Sequence, residues 1–560
     1  MIAGLSDQAG RYLAARTPTL AEGWSLERVT GPSRLFGANG LRTGPDGRIY
    51  IAQVTGSQIS ALDVATGRLD TVSAKGGDIT APDDVAFDPD GRLYATEVMD
   101  GRVSVRDAGG HTRVLRDDVP SANGITFHRG RLFIGECREG GRLLELDLNG
   151  GAPRVLLENV PSPNAMEVGP DGLLYFPVMG VNEIWRIDPE GGEPQVVAGD
   201  LGVPDAVKFD SSGRIVSTQV HSGQVLRIDP RNGERTVLAS LNPGLDNLTF
   251  VGERLFVSNF TGEITEILGD GQAQAVLPGG LNWPLDLAVG PDGSLYIADG
   301  TYFYSVGRDD RERGGAGRMG VPPACGGGSS HIRHGGLRTA GMLFSPGYPG
   351  FLRGLAPTGV GEFVVTTSNG GVFRYWPDRN ESEPLAEGFD QLYGVAVTPG
   401  GTVVVAELGA GRVLAIRAGG VEVLASGLNE PVGVAIAPDG SPLVCEAGAG
   451  RVLKLDGTGT LLDGLARPQG ILVHDGLIYV VDAGAKELIS LDANGIRRTI
   501  ASGLPVGAPA GVVPKPLLGL PPFSGPQGPF AGIAAGPDGT LYVSADAEGS
   551  VLALRPEDDS

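Results

Sequence analysis

The chain has 560 residues, of which 41% are hydrophobic and 20% charged, and it carries a formal net charge of −22. That balance excludes a disordered or collagen-like chain, and the negative charge opposes a nucleic-acid or anionic-membrane partner. No apolar run approaches the roughly 20 residues that span a bilayer, and the length calls for two domains rather than one core.

The opening MIAGLSDQAGRYLAARTPTL has no basic leader followed by a continuous apolar stretch. It reads as an N-terminal extension over residues 1–23 without a signal peptide, with Leu5, Tyr12 and Leu13 on one face of a short helix. Cys137, Cys325 and Cys445 lie far apart without metal-ligand spacing, as expected of a reduced cytoplasmic protein. Cys137 and Cys445 fall near strand ends, where a small buried apolar side chain is the expected role.

From residue 24 onward a repeat sets the organisation. A short apolar strand meets a Pro-Asp-Gly turn, and a second strand ends in a polar residue. The copies include APDDVAFDPDGRLYATE, SPNAMEVGPDGLLYFPV, LDLAVGPDGSLYIAD, VGVAIAPDGSPLVCE and AGIAAGPDGTLYVSA. Pro presets the backbone for the reversal, and Gly takes the left-handed position it needs. A third and usually a fourth strand follow, so the unit is a four-stranded propeller blade of about 40 residues.

Twelve such units predict an all-β tandem of two six-bladed β-propellers. The first covers residues 24–270 and the second 271–560, with a junction at Gly269-Asp270-Gly271. The last blade lacks a fourth strand. The sequences WSLERV at 24–29 and QAVL at 274–277 read as spare strands, each closing the propeller that it precedes. Two stretches break the period and read as a lid, an interdomain filler or a surface insertion. They are 308–341, with Cys325, His331 and His334, and 505–529, with Phe523.

The first residue of each innermost strand should face the central channel at one mouth. In the first propeller these are Asn39, Asp83, Asn123, Asn164, Asp205 and Asp246. Six such groups on one axis are costly to leave dry, and their carboxylates repel unless a cation sits among them. Hard divalent cations take such oxygen-only sets, and Ca²⁺ tolerates irregular geometry best, with Mg²⁺, Mn²⁺ and Zn²⁺ left as alternatives. A plainer reading sets all six at loop ends, where Asn and Asp bond their own backbone. The second propeller offers Leu285, Arg353, Tyr393, Val432, Gln469 and Ala531, which cannot hold a metal.

Loops after the second strands should wall this mouth, beginning with Gln53, Glu97, Glu136, Pro177, Gln219 and Asn259. His221, the one histidine expected to overlook the ring, is suited to moving protons near neutral pH, unless it is simply a solvated loop residue. Arg138 reads either as a clamp for an anionic substrate group or as a partner of Glu136 or Glu139. The acid–arginine spacing of five in Glu407/Arg412 and Glu446/Arg451 recurs as Glu97/Arg102, and such regular pairing points to blade architecture.

At SANGITF, SPNAMEVGPDG and VPDAVKFDSSGRI the first propeller resembles the family of senescence-marker protein, gluconolactonase and luciferin-regenerating enzyme. The resemblance covers roughly residues 24–270, while LYIADG and VVVAELGAGRV in the second propeller resemble NHL-type repeats. The family resemblance implies a divalent metal held by Asn39, Asn123, Asn164 and Asp205, with Asn39 standing where the family has Glu. It further implies a metal-dependent hydrolase of a lactone or related cyclic ester. Asp205 or His221 would take the proton of attacking water, and Asp83, Asp246, Glu97, Glu136 and Arg138 would orient a small-molecule substrate. The lost Glu leaves open a lyase, hydratase or carbon–carbon bond-cleaving activity in the same pocket. The plain second propeller leaves open a non-catalytic scaffold for a protein partner.

Overall fold

The computed structural model describes residues 11–12, 17–307 and 336–557. Twelve antiparallel sheets build it, eleven of four strands and one of five. The innermost strands of the first six are Leu41–Thr43, Pro82–Phe87, Ala122–His128, Glu167–Val168, Pro204–Phe209 and Leu245–Val251. Each packs against the next, and the sixth against the first, so the ring closes. The second ring closes in the same way through Leu287–Val289, Leu352–Gly359, Leu392–Val397, Pro431–Ile436, Pro468–His474 and Ile533–Ala535. Two six-bladed propellers are the result.

The repeat's turn chemistry explains each blade's first hairpin. In Pro45-Asp46-Gly47, Gly47 has φ +76° and Asp46 accepts the Arg48 amide at 3.1 Å. The same turn recurs at Asp171, which accepts the Leu173 amide and the Tyr175 hydroxyl at 3.1 and 2.8 Å. The Tyr of the Leu-Tyr pair thus ties the second strand to its own turn. Alternating apolar residues from facing blades fill the space between sheets, as where Phe133, Leu143, Met166, Leu174 and Phe176 pack together.

Strand exchange differs from the expected scheme. Trp24–Arg28 does not complete the first propeller: it pairs with Ser550–Pro556 and supplies the missing outer strand of the last blade. Gln272–Leu277 is the ordinary fourth strand of the sixth blade, and Asp270-Gly271 is its hairpin turn rather than a junction. Thr19–Leu20 adds a fifth strand beside Arg497–Ser502. By compactness, residues 1–33 accordingly group with 280–510 and 521–560, whereas 34–279 group with 511–520. The first propeller is therefore inserted into the chain of the second, and it closes without borrowed strands. Its seam is polar: Ser258 Oγ donates to the Asn39 carbonyl at 2.6 Å and Thr43 Oγ1 to the Phe250 carbonyl at 2.7 Å.

The interruption expected at 308–341 is shorter, because Leu337–Met342 is a regular fourth strand. Cys325, His331 and His334 lie outside the described residues, as does most of the proposed N-terminal helix. Cys137 and Cys445 are buried free thiols. No helix among the described residues is long and apolar enough to cross a membrane.

Candidate functional site

The channel mouth of the first propeller is built by a repeated local device. Four of its six innermost strands carry a register irregularity at their start, for instance between Pro82 and Val85, and between Pro204 and Val207. The ring residue sits at this kink. In two blades the next residue is glycine, and a Cβ on Gly40 or Gly124 would collide with the backbone at Asp83 or Asn164 of the following blade. A Ser or Thr near the end of the second strand then holds the neighbouring ring residue by its carbonyl. Thr96 Oγ1 donates to Asn123 O at 2.5 Å, and Thr218 Oγ1 donates to Asp246 O. Blade-to-blade spacing is thereby set at the ring itself.

Five of the six expected ring residues are buried: Asp83, Asn123, Asn164, Asp205 and Asp246. Asn39 is half-buried, and its Nδ2 donates to Asp246 Oδ2 at 3.0 Å. Among the described residues, the carboxylates of Asp83 and Asp205 accept no hydrogen bond, although these residues are only 8% and 4% exposed. Burial, then the charge of Asp84, pushes Asp83 up to about 8. Burial, then Asp83 and Asp84, holds Asp205 well above the carboxylate range. Asp246 is raised in the same sense by burial and by Asp205 and Asp83, against the Asn39 amide. Three acids from blades two, five and six therefore meet closely enough to repel.

The amides complete the picture. Among the described residues, Asn123 Oδ1 is buried without a hydrogen-bond partner. Asn164 Oδ1 accepts the Ala165 amide at 2.8 Å, and its Nδ2 lies 2.9 Å from Met179 Sδ. No group of three or more His, Cys, Asp or Glu side chains among the described residues forms a metal cage by itself. A cation here would have to draw on both the acids and the amides. An oxygen-only set of this kind, with two unengaged buried carboxylates and an orphaned amide oxygen, fits a hard divalent cation.

Two features of the mouth were not legible as functional in the sequence. Cys137 Sγ lies 4.0 Å from Met179 Sδ, and its thiol is pushed far up by burial and by Asp205, Asp83 and Asp246. It is a buried wall residue beside the ring, in surroundings that oppose the thiolate. Three residues after Asn39, Asn164 and Asp205 come Arg42, Glu167 and Lys208. Arg42 Nη1 meets Glu167 Oε2 at 2.6 Å and Lys208 Nζ meets it at 3.1 Å, while Thr126 donates to the other oxygen at 3.1 Å. Burial works against the Glu167 charge, yet Lys208 and Arg42 outweigh it and hold this acid at about 2. Drawn from blades one, three, four and five, the cluster ties four of the six inner strands together beneath the ring. Its signal was available: charged residues at a fixed offset inside otherwise apolar strands.

Glu97 and Glu136 were expected on the pocket wall, and the structure corrects this. Both are fully buried in their own blades. Glu97 accepts the Thr80 amide and the Arg102 guanidinium, each at 2.5 Å, and also the Ser104 hydroxyl. Glu136 binds Arg142 and, at 3.1 Å, Arg138, so that arginine is engaged as well. Glu407 and Glu446 do the same in the second propeller, accepting the amides of Asp390 and Asn429 at 2.9 and 2.7 Å. An acid in this position pins the loop that leads into its own blade. Glu97→Ala should therefore destabilise the first propeller by about 3–5 kcal/mol, by leaving buried donors and a cation unpaired. Urea unfolding followed at Trp185, the one tryptophan within residues 34–279, reads this directly.

His221 is exposed in the turn after Ile215–Gln219, at the same end of the blade as the start of Pro204–Phe209. No contact joins its imidazole to the ring among the described residues.

A six-bladed propeller with an acid-and-amide ring above an ion-paired cluster is the class that fold and site define. Residues 19–259 match the family model described as the SMP-30/gluconolactonase/LRE-like region, so this part of the chain is similar to that family. No curated protein matches the chain in sequence. Among solved structures it is similar to a streptogramin B lyase, at 19% identity and TM-score 0.38, over 49% of this chain and 94% of that one. Virginiamycin B lyase from Staphylococcus aureus matches at 16% identity and TM-score 0.37, over 49% and 96%. A putative gluconolactonase matches at 17% identity and TM-score 0.37, over 45% and 95%.

Proposed function

We propose that the first propeller is a divalent-metal-dependent hydrolase of a lactone or related cyclic ester, acting at the ringed channel mouth on a small molecule. The observation that carries this reading is the pair of buried, unengaged carboxylates, Asp83 and Asp205, beside the orphaned Asn123 oxygen. Asn39, Asn123, Asn164 and Asp205 would hold the cation, and Asp83 and Asp246 supply the charge that Asn39 lacks. Calcium suits the oxygen-only donors best. When bound, such a cation supplies Lewis acidity toward a carbonyl oxygen.

The protein's own groups do the rest. Asp205, on the ring beside the bound cation, would take the proton of attacking water. The Arg42–Glu167–Lys208 cluster would hold the inner strands, and with them the ring, in place beneath a substrate bound at the mouth. Asp246, next to Asp205 in ring order, and Asp83, across the ring from it, orient the substrate's hydroxyl groups. His221, exposed on the rim, is left with a secondary part in proton exchange with solvent. A panel of aldonolactones and simple cyclic esters tests the reading, with mass analysis of each product. Gain of one water supports hydrolysis, whereas a product of unchanged mass identifies elimination and overturns it.

Proton linkage gives a second test. Burial, then the charge of Asp84, pushes Asp83 up to about 8 in the cation-free fold from an ordinary 3.8, so this acid keeps its proton in the fold where the unfolded chain has lost it. The stability of the cation-free fold must then fall as pH rises from about 4 through 8. In chelator, the Trp185 transition should move to lower urea between about pH 5 and pH 8, and millimolar Ca²⁺ should abolish the slope. A flat profile in chelator would mean that the acids are not held together.

A further inference from the structure

The second propeller has the same inner-strand scaffold and a different channel. At its ring positions stands Arg353, 1% exposed, its guanidinium carbon 4.1 Å from the centre of the Tyr393 ring and 5.7 Å from that of Trp283. Nη2 donates to the Gly528 carbonyl at 2.6 Å, and the caged cation takes no part in lining the space further along the channel. That space is a cavity of about 300 Å³ walled by all six inner strands. Its one charged lining residue is Asp286, 8% exposed.

Asp286 has a counterpart in the first propeller. Its Oδ1 accepts the Leu287 amide at 3.0 Å, and Oδ2 accepts the Leu355 amide of the next blade at 2.9 Å. Asp84 does the same with the amides of Val85, at 2.8 Å, and Ile125, at 3.3 Å. A glycine of the preceding blade makes room for each acid. A Cβ on Gly532 would lie 2.6 Å from Asp286 Oδ1, and one on Gly40 would lie 2.6 Å from Asp84 Oδ1.

The two acids differ in what faces them. Two residues past Gly40 comes Arg42; burial raises Asp84, and the charges of Arg42 and Lys208 work against that rise. Two residues past Gly532 comes Ala534. With Asp286 set on Asp84 blade for blade, the places of Arg42, Glu167 and Lys208 fall to Ala534, Ala396 and Ala435. All three alanines line the cavity. Burial pushes Asp286 up to about 7 against its two amides, and no cation among the described residues acts on it. The second propeller keeps the carboxylate and puts open apolar space where its counter-ions stood.

A carboxylate offers about four lone-pair sites, and the two amides use two of them. A buried charge is costly unless it is paired, so the ionised acid calls for a cation from outside the chain. The rest of the wall, including Leu287, Val395, Val434, Ile471 and Phe530, calls for an apolar body on that cation. A cavity of about 150 Å³ takes a benzene ring, so this one has room for a longer hydrocarbon chain. We propose that the second propeller's channel binds a small aliphatic primary amine, its ammonium on Asp286 and its hydrocarbon body in the cavity. A divalent metal fits less well, since a single carboxylate serves the space. The inference is independent of the reading of the first propeller.

The test is isothermal titration of the full chain at about pH 8, where the acid is ionised and an alkylamine protonated. Millimolar Ca²⁺ is present, so that the amine does not settle on the acids of the first ring. Hexylamine should bind saturably, with 1-hexanol and hexanoate each at least tenfold weaker. Asp286→Asn should weaken hexylamine at least tenfold. Ala534→Arg, which supplies from within the cation that Arg42 supplies in the first propeller, should abolish binding. No saturable hexylamine binding to the wild type overturns the proposal, as does equal or tighter binding of hexanol or hexanoate. Unchanged affinity in a folded Asp286→Asn protein overturns it too. Should that variant fail to fold, Ala534→Arg and the hexylamine–hexanol ratio decide, unchanged binding in the former counting against the site.

Discussion

Asp205→Ala is expected to lose stoichiometric divalent metal and at least about 10³-fold in lactone kcat/KM, while the fold survives. The expectation follows from what Asp205 does in the protein, which is very little for stability. Its carboxylate accepts no hydrogen bond among the described residues, and its charge is opposed by burial and by Asp83 and Asp84. Removing it relieves repulsion, so the cation-free variant should unfold at equal or higher urea than the wild type. That opposite movement, stability up and activity down, separates a functional acid from a structural one. Glu97→Ala is the control, because there stability falls first. His221→Ala should stay within about threefold of wild type, as befits an exposed rim residue. Metal content and turnover in the same preparations decide the matter: equal turnover by wild type and Asp205→Ala would remove the catalytic reading of the ring.

Deleting residues 1–28 should collapse the second propeller and spare the first. Trp24–Arg28 forms a full five-residue ladder with the last blade, from Trp24 opposite Pro556 to Arg28 opposite Leu552. Arg28 adds a two-pronged pair with Glu548 at 2.7 and 3.0 Å, and the Val29 amide donates to Val551 O at 2.8 Å. At roughly 1 kcal/mol net per backbone hydrogen bond, the loss is on the order of 5 kcal/mol, or about 10–20 °C in Tm for a unit of this size. The bared edge at Ser550–Pro556 should also promote aggregation. Calorimetry should show one transition lowered while the Trp185 transition stays put. The Glu557 amide already donates to Gly23 O at 2.8 Å, so a permuted chain that joins residues 23–33 after 557 through a short turn should restore the lost stability. If the Trp185 transition fell instead, the strand would belong to the first propeller.

Much of the architecture was legible because it is local. A Pro-Asp-Gly turn, an alternating strand and a period of about 40 residues specify a blade wherever it ends up, and twelve blades in two rings followed. The ring was legible for the same reason: Asn39, Asp83, Asn123, Asn164, Asp205 and Asp246 share one place in the repeat, and symmetry carries them to one axis. Which short strand completes which ring was not local. Trp24–Arg28 is compatible with any open blade edge, and its partner lies more than 500 residues away in the chain, so only the closed ring selects it.

The fate of individual charges was hidden in the same way. Glu97 and Asp205 are both buried acids in the first propeller, yet Glu97 points back into its blade and meets Arg102, while Asp205 meets other acids across the channel. Sequence by itself determined the blade, its turns, the number of rings and which side chains share the mouth, since each depends on neighbours a few residues apart. Tertiary structure alone decided the strand exchange, Cys137 beside the ring and the caged Arg353. These depend on distances between blades, which pairing and packing set and no local pattern encodes.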